Sequence, residues 1–129
     1  MKINIIVSGS VLDSQAHFSA VKFAEAAVAK GQVISQVFFY RDAVNVANTM
    51  NLPLADEFDA QSAWLEFASL ANCELSVCIS AAEKRGVVNQ QAAKENGLDT
   101  CNAHSGFNLV GLGVLHDAIL SADRTVTFR

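Results

Sequence analysis

The chain opens on the sequence KINIIVSGS, residues Lys2–Ser10, and this stretch decides the fold. Lys2–Ser8 is rich in β-branched and apolar residues, a composition typical of a strand buried in a parallel sheet. Gly9 and Ser10 end the strand, and an alanine-rich helical pattern follows. A buried strand that leads into a helix begins a β-α-β unit, so these residues indicate an α/β protein.

The alternation of strands and helices continues along the chain. Runs of Val, Ile and Phe predict strands, and apolar residues three and four positions apart predict helices. We therefore expect residues 1–129 to form a single three-layer domain, with a mainly parallel sheet and helices on both faces, as in flavodoxin-like folds. The strand order stays open, and Leu98–Asn108 fits neither pattern. The further predicted strands are Val33–Tyr40, Glu74–Ile79 and Arg124–Phe128, and the predicted helices are Ser14–Lys30, Arg41–Met50, Ala60–Leu70, Ser80–Gly86, Gln90–Asn96 and Gly111–Ala122.

The composition excludes several classes of protein. Apolar residues make up 51% of the chain and charged residues 17%, which excludes a disordered chain. The longest apolar runs fall far short of the roughly 18–20 residues that a membrane helix needs. The formal charge of -4 argues against direct binding to nucleic acid, because binding to phosphates requires clustered Lys and Arg.

The cysteine and histidine pattern argues against a disulfide framework and against a metal site. The three cysteines include no Cys-x-x-Cys pair, and the three histidines share no ligand spacing. The amino-terminal apolar stretch is too short for a signal peptide and is broken by Asn4, so we expect a cytoplasmic protein with reduced thiols.

Two glycine-containing turns carry weaker signals. The turn Ser8–Ser10 is a candidate anion site ahead of the first helix, but it lacks the G-x-G-x-x-G pattern of a dinucleotide site. Gly111 and Gly113 are interpreted as positions of close helix packing. The sequence thus offers no site for an organic cofactor.

Cys78 is the main candidate for chemistry. In folds of this kind the reactive groups lie beyond the carboxyl ends of the strands, and Cys78 lies at the end of the third predicted strand. Ser80 and Glu83 have the spacing of a capping box, which predicts a helix that begins at Ser80. The dipole of that helix, with Lys84 and Arg85 in it, favours a thiolate at Cys78. The alternative is that Cys78 is a small buried side chain without reactivity.

Other residues bear on the same site. Tyr40 and Arg41 end the second predicted strand, and they line the rim beside Cys78 if the two strands are neighbours. An extended strand would keep Cys73 too far from Cys78 for a disulfide. Cys101 is either a resolving thiol or an ordinary loop or core residue.

Five groups of short motifs are distributed along the whole chain. They are Phe38-Phe39-Tyr40-Arg41 with Ala47-Asn48, Asp56-Glu57-Phe58-Asp59, Cys78-x-x-Ala81-Ala82-x-x-Arg85-Gly86-Val87, Gly106-Phe107-x-Leu109-x-Gly111-Leu112-Gly113, and Asp123-Arg124. Each alone is weak. Their order, their spacing and the length of the chain together resemble the DsrE/TusD family of sulfurtransferase subunits, and most closely its TusD branch.

The resemblance implies a DsrE-like fold and sulfur chemistry without a metal or an organic cofactor. It implies that Cys78 accepts persulfide sulfur from a TusA-like donor and passes it to a TusE-like acceptor, for 2-thiolation of the wobble uridine of certain tRNAs. It also implies TusB-like and TusC-like partner subunits in a dimer of heterotrimers. It assigns no role to Tyr40, Arg41 or Cys101. Our own hypothesis is that Arg85 either stabilises the thiolate or persulfide or forms a salt bridge between subunits.

Three other interpretations stay open. A DsrE-type subunit would use the same chemistry in dissimilatory sulfur oxidation. A non-catalytic scaffold subunit would keep Cys78 as a packed core thiol. A redox-sensing protein would form a disulfide between Cys78 and Cys101 under mild oxidation.

Overall fold

A computed structural model describes all 129 residues and contains five strands and five α-helices. The strands are β1 (Lys2–Val7), β2 (Val33–Phe39), β3 (Glu74–Cys78), β4 (Asn108–Val110) and β5 (Arg124–Phe128). The helices are α1 (Ala16–Ala29), α2 (Ala60–Ala71), α3 (Ile79–Lys84), α4 (Gln90–Glu95) and α5 (Leu112–Ser121), and a 3-10 helix covers Arg41–Ala47. No helix combines the length and the apolarity that crossing a membrane requires.

All five strands run parallel in one sheet, in the order β4-β3-β2-β1-β5. The steps from β1 to β4 all go in one direction, and α1 and α2 contact each other on one face. The return from β4 to β5 crosses the sheet in the opposite direction, so a right-handed connection places α5 on the other face. The predicted α/β class, with a parallel sheet and helices on both faces, is confirmed.

The face of the sheet beneath α1 and α2 carries the aromatic core. Phe39, at the end of β2, stacks on His17 of α1 with 5.8 Å between ring centroids, and it meets Trp64 of α2 edge-on at 5.4 Å. All three side chains are buried. This cluster fixes α1 and α2 against the carboxyl half of β2.

The opposite face of the sheet is more polar and is covered by α5 alone. Alternation along the strands places Asn4, Gln36 and Ser76 there, and all three are buried. Gln36 Nε2 donates a hydrogen bond to Ser76 Oγ at 2.7 Å. The helix α5 buries none of its own residues, and Ile119 and Leu120 are among its exposed apolar side chains. This layer of the molecule therefore has an apolar outer surface.

Two local predictions are wrong. The helix after β3 begins at Ile79 with Cys78 as its N-cap, so Ser80 lies inside the first turn and makes no capping hydrogen bond. Gly111 and Gly113 do not provide close packing, because a Cβ at either position would meet no atom within 4 Å. The strand β4 was not predicted, and it lies at the end of the segment to which no element was assigned.

Candidate functional site

The carboxyl ends of β1, β2 and β3 lie side by side at one edge of the sheet. Phe39 is the register partner of Val77, so Tyr40 and Cys78 follow at neighbouring positions. The condition that placed Tyr40 and Arg41 on the same rim as Cys78 is therefore met. Parallel α/β sheets bind ligands and carry out chemistry at this edge, which makes it the candidate site.

Cys78 is the last residue of β3 and the N-cap of α3, with an extended backbone (φ −62°, ψ 115°). Its register partner is Val110 of β4. Its side chain is only 2% exposed and belongs to the main hydrophobic core. In this conformation the thiol is covered, so a reaction partner reaches Sγ only if the covering segments move.

Two helices begin beside Cys78. The helix α3 starts at the next residue, and α5 starts at Leu112, two residues after Val110. The first N–H groups of a helix have no partner within it and carry partial positive charge. Neither first turn contains an acidic residue, and the start of α5 is surrounded by open space. The backbone at this rim therefore suits an anion.

The loops around Cys78 are joined by one asparagine, Asn102. Its Oδ1 accepts from Val88 N at 2.8 Å, and its Nδ2 donates to Gly86 O at 2.8 Å and to Asn48 Oδ1 at 3.2 Å. Thr49 N donates to the backbone oxygen of Asn102 at 2.7 Å. The side chain thus links the loop after α3 to the segment after the 3-10 helix.

Sequence reasoning missed this role of Asn102. Its partners Asn48 and Gly86 do belong to the motifs that carried the family resemblance. Asn48, a polar motif residue without a reactive group, was a signal for a structural hydrogen-bond network, whereas Gly86 contributes only its backbone oxygen. The sequence contained no signal for the third member, because it lies 54 residues from Asn48.

Arg85 is held by its own chain. Its Nε donates to Asp42 Oδ1 at 2.9 Å, and its Nη1 donates to Ala81 O at 3.1 Å. The structure therefore shows Arg85 in an intrachain ion pair rather than against the Cys78 thiol. Arg41, next to this pair, has a left-handed backbone with φ of 51°, which is strained for a residue other than glycine.

His17 is a core residue and not a catalytic base. Its Nε2 donates to Gly9 O at 3.1 Å, and its Nδ1 accepts from Trp64 Nε1 at 3.2 Å. Burial lowers the pKa of His17 to about 4, although the bond to the Gly9 carbonyl acts in the opposite direction. The side chain is neutral at physiological pH and has no nitrogen free for a substrate.

The three cysteines are free and differ in environment. Cys73 is half-buried, and burial, with a contribution from the Glu74 carboxylate, raises the pKa of its thiol to about 12. Cys101 is exposed and lines a shallow pocket of about 400 Å³ together with His104. No group of three or more His, Cys, Asp or Glu side chains is arranged to hold a metal ion.

The turn after β1 does not form the anion site that its sequence suggested. A Cβ on Gly9 would lie 2.6 Å from Ser14 Oγ and from Ala16 Cβ, so the chain itself fills this space. The Ser10 hydroxyl accepts from Leu12 N and Asp13 N, which closes the turn internally. The helix α1 begins only at Ala16, so its N-terminus is not at the strand end.

Comparison with known proteins identifies the relatives of this chain. The family model of the DsrE/DsrF-like family matches residues 1–128. Sulfurtransferase TusD of Proteus mirabilis (strain HI4320) is 46% identical over 124 residues, which cover 96% of this chain and 95% of that protein. Sulfurtransferase TusD of Serratia proteamaculans (strain 568) is 44% identical over 124 residues, 96% of either chain. Among solved structures, the YchN protein from E. coli has a similar fold, with a TM-score of 0.76 and 22% identity over 99% of either chain.

Proposed function

The chain belongs to the DsrE/DsrF-like family, and we propose that it is a sulfurtransferase that carries sulfur as a persulfide on Cys78. Relatives at 46% and 44% identity over nearly the whole chain are named sulfurtransferases, which supports this class of reaction. In the proposed relay, a single DsrE-like domain takes sulfur from a TusA-like donor and passes it to a TusE-like acceptor. The sulfur ends as the 2-thio group of a tRNA wobble uridine.

The position of Cys78 is the observation that carries the proposal. It is the cysteine at the carboxyl edge of the sheet, at the end of β3 and directly before α3. Cys73 lies at the opposite end of that strand, and the pKa of its thiol, about 12, keeps it protonated at neutral pH. Cys101 lies in a loop outside the sheet. Of the three thiols, Cys78 alone combines the strand end with two helix starts.

The reaction requires no redox cofactor. The Cys78 thiol loses its proton, and the thiolate attacks the outer sulfur of the donor persulfide. The S–S bond of the donor breaks as a new S–S bond to Cys78 Sγ forms, and the donor leaves as a thiolate that takes up a proton. An acceptor thiolate then attacks the outer sulfur on Cys78 in the same way, so Cys78 is regenerated and no net oxidation occurs.

The local backbone supports this chemistry by electrostatics. The persulfide and the leaving thiolate are both anions, and the first turns of α3 and α5 present N–H groups without nearby acidic residues. A Cβ at Gly111 or Gly113 would meet no atom within 4 Å, so the start of α5 leaves room for a docking partner. Because Cys78 is 2% exposed, docking of the donor has to displace covering side chains before transfer begins.

We propose that the chain works in a complex with TusB-like and TusC-like subunits, as a dimer of heterotrimers in the cytoplasm. The apolar outer surface of α5, where Leu112, Ile119 and Leu120 are exposed, supports a subunit contact on that face. The acidic net charge of -4 fits a protein that exchanges sulfur with other proteins and leaves tRNA to a later enzyme.

A scaffold subunit without catalysis is the second candidate function, and the burial of Cys78 favours it. A buried thiol that belongs to the hydrophobic core is also what simple packing requires. A DsrE-type role in sulfur oxidation differs in its donor and acceptor rather than in its residues. The TusD names of the two relatives favour the relay over that role.

Mass spectrometry of the loaded chain tests the proposal. The chain is incubated with a cysteine desulfurase, cysteine and a TusA-like donor, alone and with its partner subunits, and each cysteine-containing peptide is analysed. We expect one added sulfur on the Cys78 peptide, which is absent in Cys78→Ser. Cys101→Ser is the matched control, and it should load as the wild type does.

Each outcome separates the candidate functions. Sulfur on Cys78 that a TusE-like protein then removes supports the relay. The absence of sulfur on Cys78 in the complete complex rejects the carrier role and favours the scaffold. An intramolecular disulfide between Cys78 and Cys101 under mild oxidation would favour the redox interpretation.

A further inference from the structure

A large cleft lies at the carboxyl edge of the molecule, on the side of α1 and α2. Its volume is about 780 Å³, and it opens between the loop after β1 and the segment that leads from the 3-10 helix into α2. Val46, His17 and Gln61 are part of its wall. No cysteine lines it, so it has no direct part in the proposed sulfur chemistry.

The mouth of the cleft carries exposed apolar side chains. Leu12, Met50 and Leu52 are 78%, 62% and 87% exposed. Phe18 and Phe58 stand edge to face with 5.3 Å between ring centroids, and both are partly exposed. Single exposed apolar residues are ordinary, but five around one concave surface indicate a protein contact.

The charged side chains that line the cleft are all acidic. Three carboxylates line it, those of Asp13, Glu57 and Asp59, and no Lys or Arg does. Lys22 stands 5.7 Å from the centre of the Phe18 ring, and it is paired with Glu25 at 3.4 Å. The complementary surface is therefore apolar and basic.

Two of the polar side chains of the wall already have partners within the chain. Both ring nitrogens of His17 are hydrogen-bonded, and Gln61 Nε2 donates to Val46 O at 2.8 Å and to Asn48 O at 3.2 Å. These two side chains are therefore not free to bind a small polar metabolite. Apolar side chains need no hydrogen-bond partners in such a cleft. Its lining therefore favours a segment of a protein over a small polar metabolite.

We propose that the cleft docks an apolar segment of a partner protein in which Lys or Arg residues flank the apolar ones. Val46 and Asn48 line the cleft and follow β2, the strand next to the one that ends at Cys78. The cleft and Cys78 thus both lie at the carboxyl edge of the sheet, and we assign the cleft to the protein that exchanges sulfur with this chain. Only this last assignment rests on the proposed function.

The test uses two synthetic peptides and the full chain labelled with nitrogen-15. The peptide KLFKLLK is the basic, apolar probe, and ELFELLE is its acidic counterpart. We expect KLFKLLK to shift amide signals of residues 11–18 and 46–61 saturably. The double variant Leu12→Ser/Leu52→Ser should weaken its affinity at least tenfold, and Asp13→Lys at least threefold.

Matched controls come from α5. Leu120→Ser and Asp117→Lys make the same chemical changes at exposed positions outside the cleft, and they should change the affinity less than twofold. All substituted side chains are exposed, and the unchanged spectrum of each free variant verifies its fold.

Three results would overturn the docking proposal. They are equal binding of ELFELLE, signal shifts confined to other surfaces, and an unchanged affinity of the Leu12→Ser/Leu52→Ser variant. Self-association of the wild type that this double variant abolishes would identify a second copy as the occupant and would also reject a basic partner segment. Cys78→Ser should bind KLFKLLK with the affinity of the wild type. A failure of sulfur loading at Cys78 would therefore contradict the proposed function but not the docking of the peptide.

Discussion

His17 is a single residue that connects three parts of the fold. It stacks on Phe39 of β2, accepts a hydrogen bond from Trp64 of α2 and donates one to the Gly9 carbonyl in the loop after β1. The bond to Gly9 places a proton on Nε2, and the bond from Trp64 needs an unprotonated Nδ1, so the two together define the neutral ring. A second proton on Nδ1 would face the N–H of Trp64, so protonation opposes folding.

We expect the free energy of unfolding to decrease as the pH falls from about 6.5 to about 4. Burial lowers the folded-state pKa of His17 to about 4, whereas the unfolded chain has the ordinary value of 6.5, so the unfolded chain binds the proton first. The difference between these two pKa values corresponds to about 3 kcal/mol. The free energy of unfolding is lower by this amount below pH 4, and this loss is absent above pH 6.5. Urea unfolding followed by Trp64 fluorescence at several pH values measures it.

The substitution His17→Gln isolates this contribution. It removes the titrating ring, so the variant should be less stable at pH 7 but should lose less stability between pH 6.5 and pH 4. His116→Gln is the matched control, because the His116 side chain is 73% exposed. If His17→Gln and the wild type lose the same stability over this range, the acid sensitivity lies in other groups.

The three thiols should differ in their rates of alkylation in the native chain at neutral pH. Cys101 is exposed and should react first, whereas Cys78 is covered and should react slowly. Cys73 should also react slowly, because its pKa of about 12 leaves almost no thiolate. Peptide mass spectrometry after a short iodoacetamide pulse measures the order, with the same pulse in urea as the reference.

A rapid reaction of Cys78 in the isolated chain would contradict this order. It would mean that the segments over Cys78 open without a partner. A rate that rises only after the sulfur donor is added would instead indicate that docking uncovers the thiol.

At the scale of elements, the predicted starts of α2 and α4 are confirmed, and the structure adds the residues that cap them. Asp59 caps α2, accepting from Ser62 N at 3.1 Å and from Ser62 Oγ at 2.8 Å, and Asn89 caps α4, accepting from Ala92 N at 2.8 Å. Ser80 has the right residue type and spacing for a cap but lies two positions after the actual N-cap. The backbone of Cys78 leaves the extended conformation directly into α3, so the cap is Cys78 itself.

We expect Asp59→Ala to lower the free energy of unfolding by about 1 kcal/mol, because an N-cap oxygen satisfies an N–H group that the helix leaves free. Ser80→Ala is the matched control and should change it by less than about 0.5 kcal/mol, since Ser80 is exposed and caps nothing. Urea unfolding at pH 7 gives both values. A larger loss of stability for Ser80→Ala than for Asp59→Ala would show that Ser80 does cap α3.

The elements that the sequence did not reveal are the ones held by distant contacts. β1, β2, β3 and β5 were predictable, because segments of five to seven residues in which apolar side chains run together or alternate with polar ones indicate a strand without further context. β4 has only three residues, Asn108–Val110, and it exists because β3 offers a free edge. The segment before it is fixed by Asn102, whose hydrogen bonds reach Val88 and Asn48.

We expect Asn102→Ala to lower the free energy of unfolding by about 2 kcal/mol, because it leaves the Val88 N–H without its partner and removes two further bonds. Hydrogen exchange of the amides of Val88 and Thr49 should accelerate with it. Asn108→Ala is the control, since Asn108 is exposed and its amide bonds only to Glu74. Unchanged exchange at Val88 would show that the loops do not depend on Asn102.

At the scale of the whole molecule, the chain distributes its apolar surface unevenly. α1 and α2 pack tightly on one face, whereas the other face holds buried polar atoms without partners, Asn4 Oδ1 and Gln36 Oε1, beneath a single helix. Sequence reasoning located the carboxyl edge and Cys78, because strand ends follow from local patterns. It could not give the burial of Cys78 or the poor cover of this face, because both depend on how the strands are ordered.

The helix α5 is the element whose stability should depend most on a partner chain. It has ten residues, buries none of them, and exposes Leu112, Ile119 and Leu120. A helix of this length is marginal without tertiary packing. We therefore expect its amides to exchange hydrogen quickly in the isolated chain and at least tenfold more slowly in the complex with the partner subunits, whereas α1 should exchange slowly in both states.

The substitution Leu120→Asp tests whether α5 contacts a partner subunit. The Leu120 side chain is exposed in the chain itself, so the variant should fold with unchanged stability, but a charge on this surface should prevent assembly with the partner subunits. Leu70→Asp on α2 is the matched control, because it makes the same change at a side chain that is 83% exposed. Normal assembly of Leu120→Asp, or slow exchange of α5 in the isolated wild type, would show that α5 is stable alone and that the subunit contact lies elsewhere.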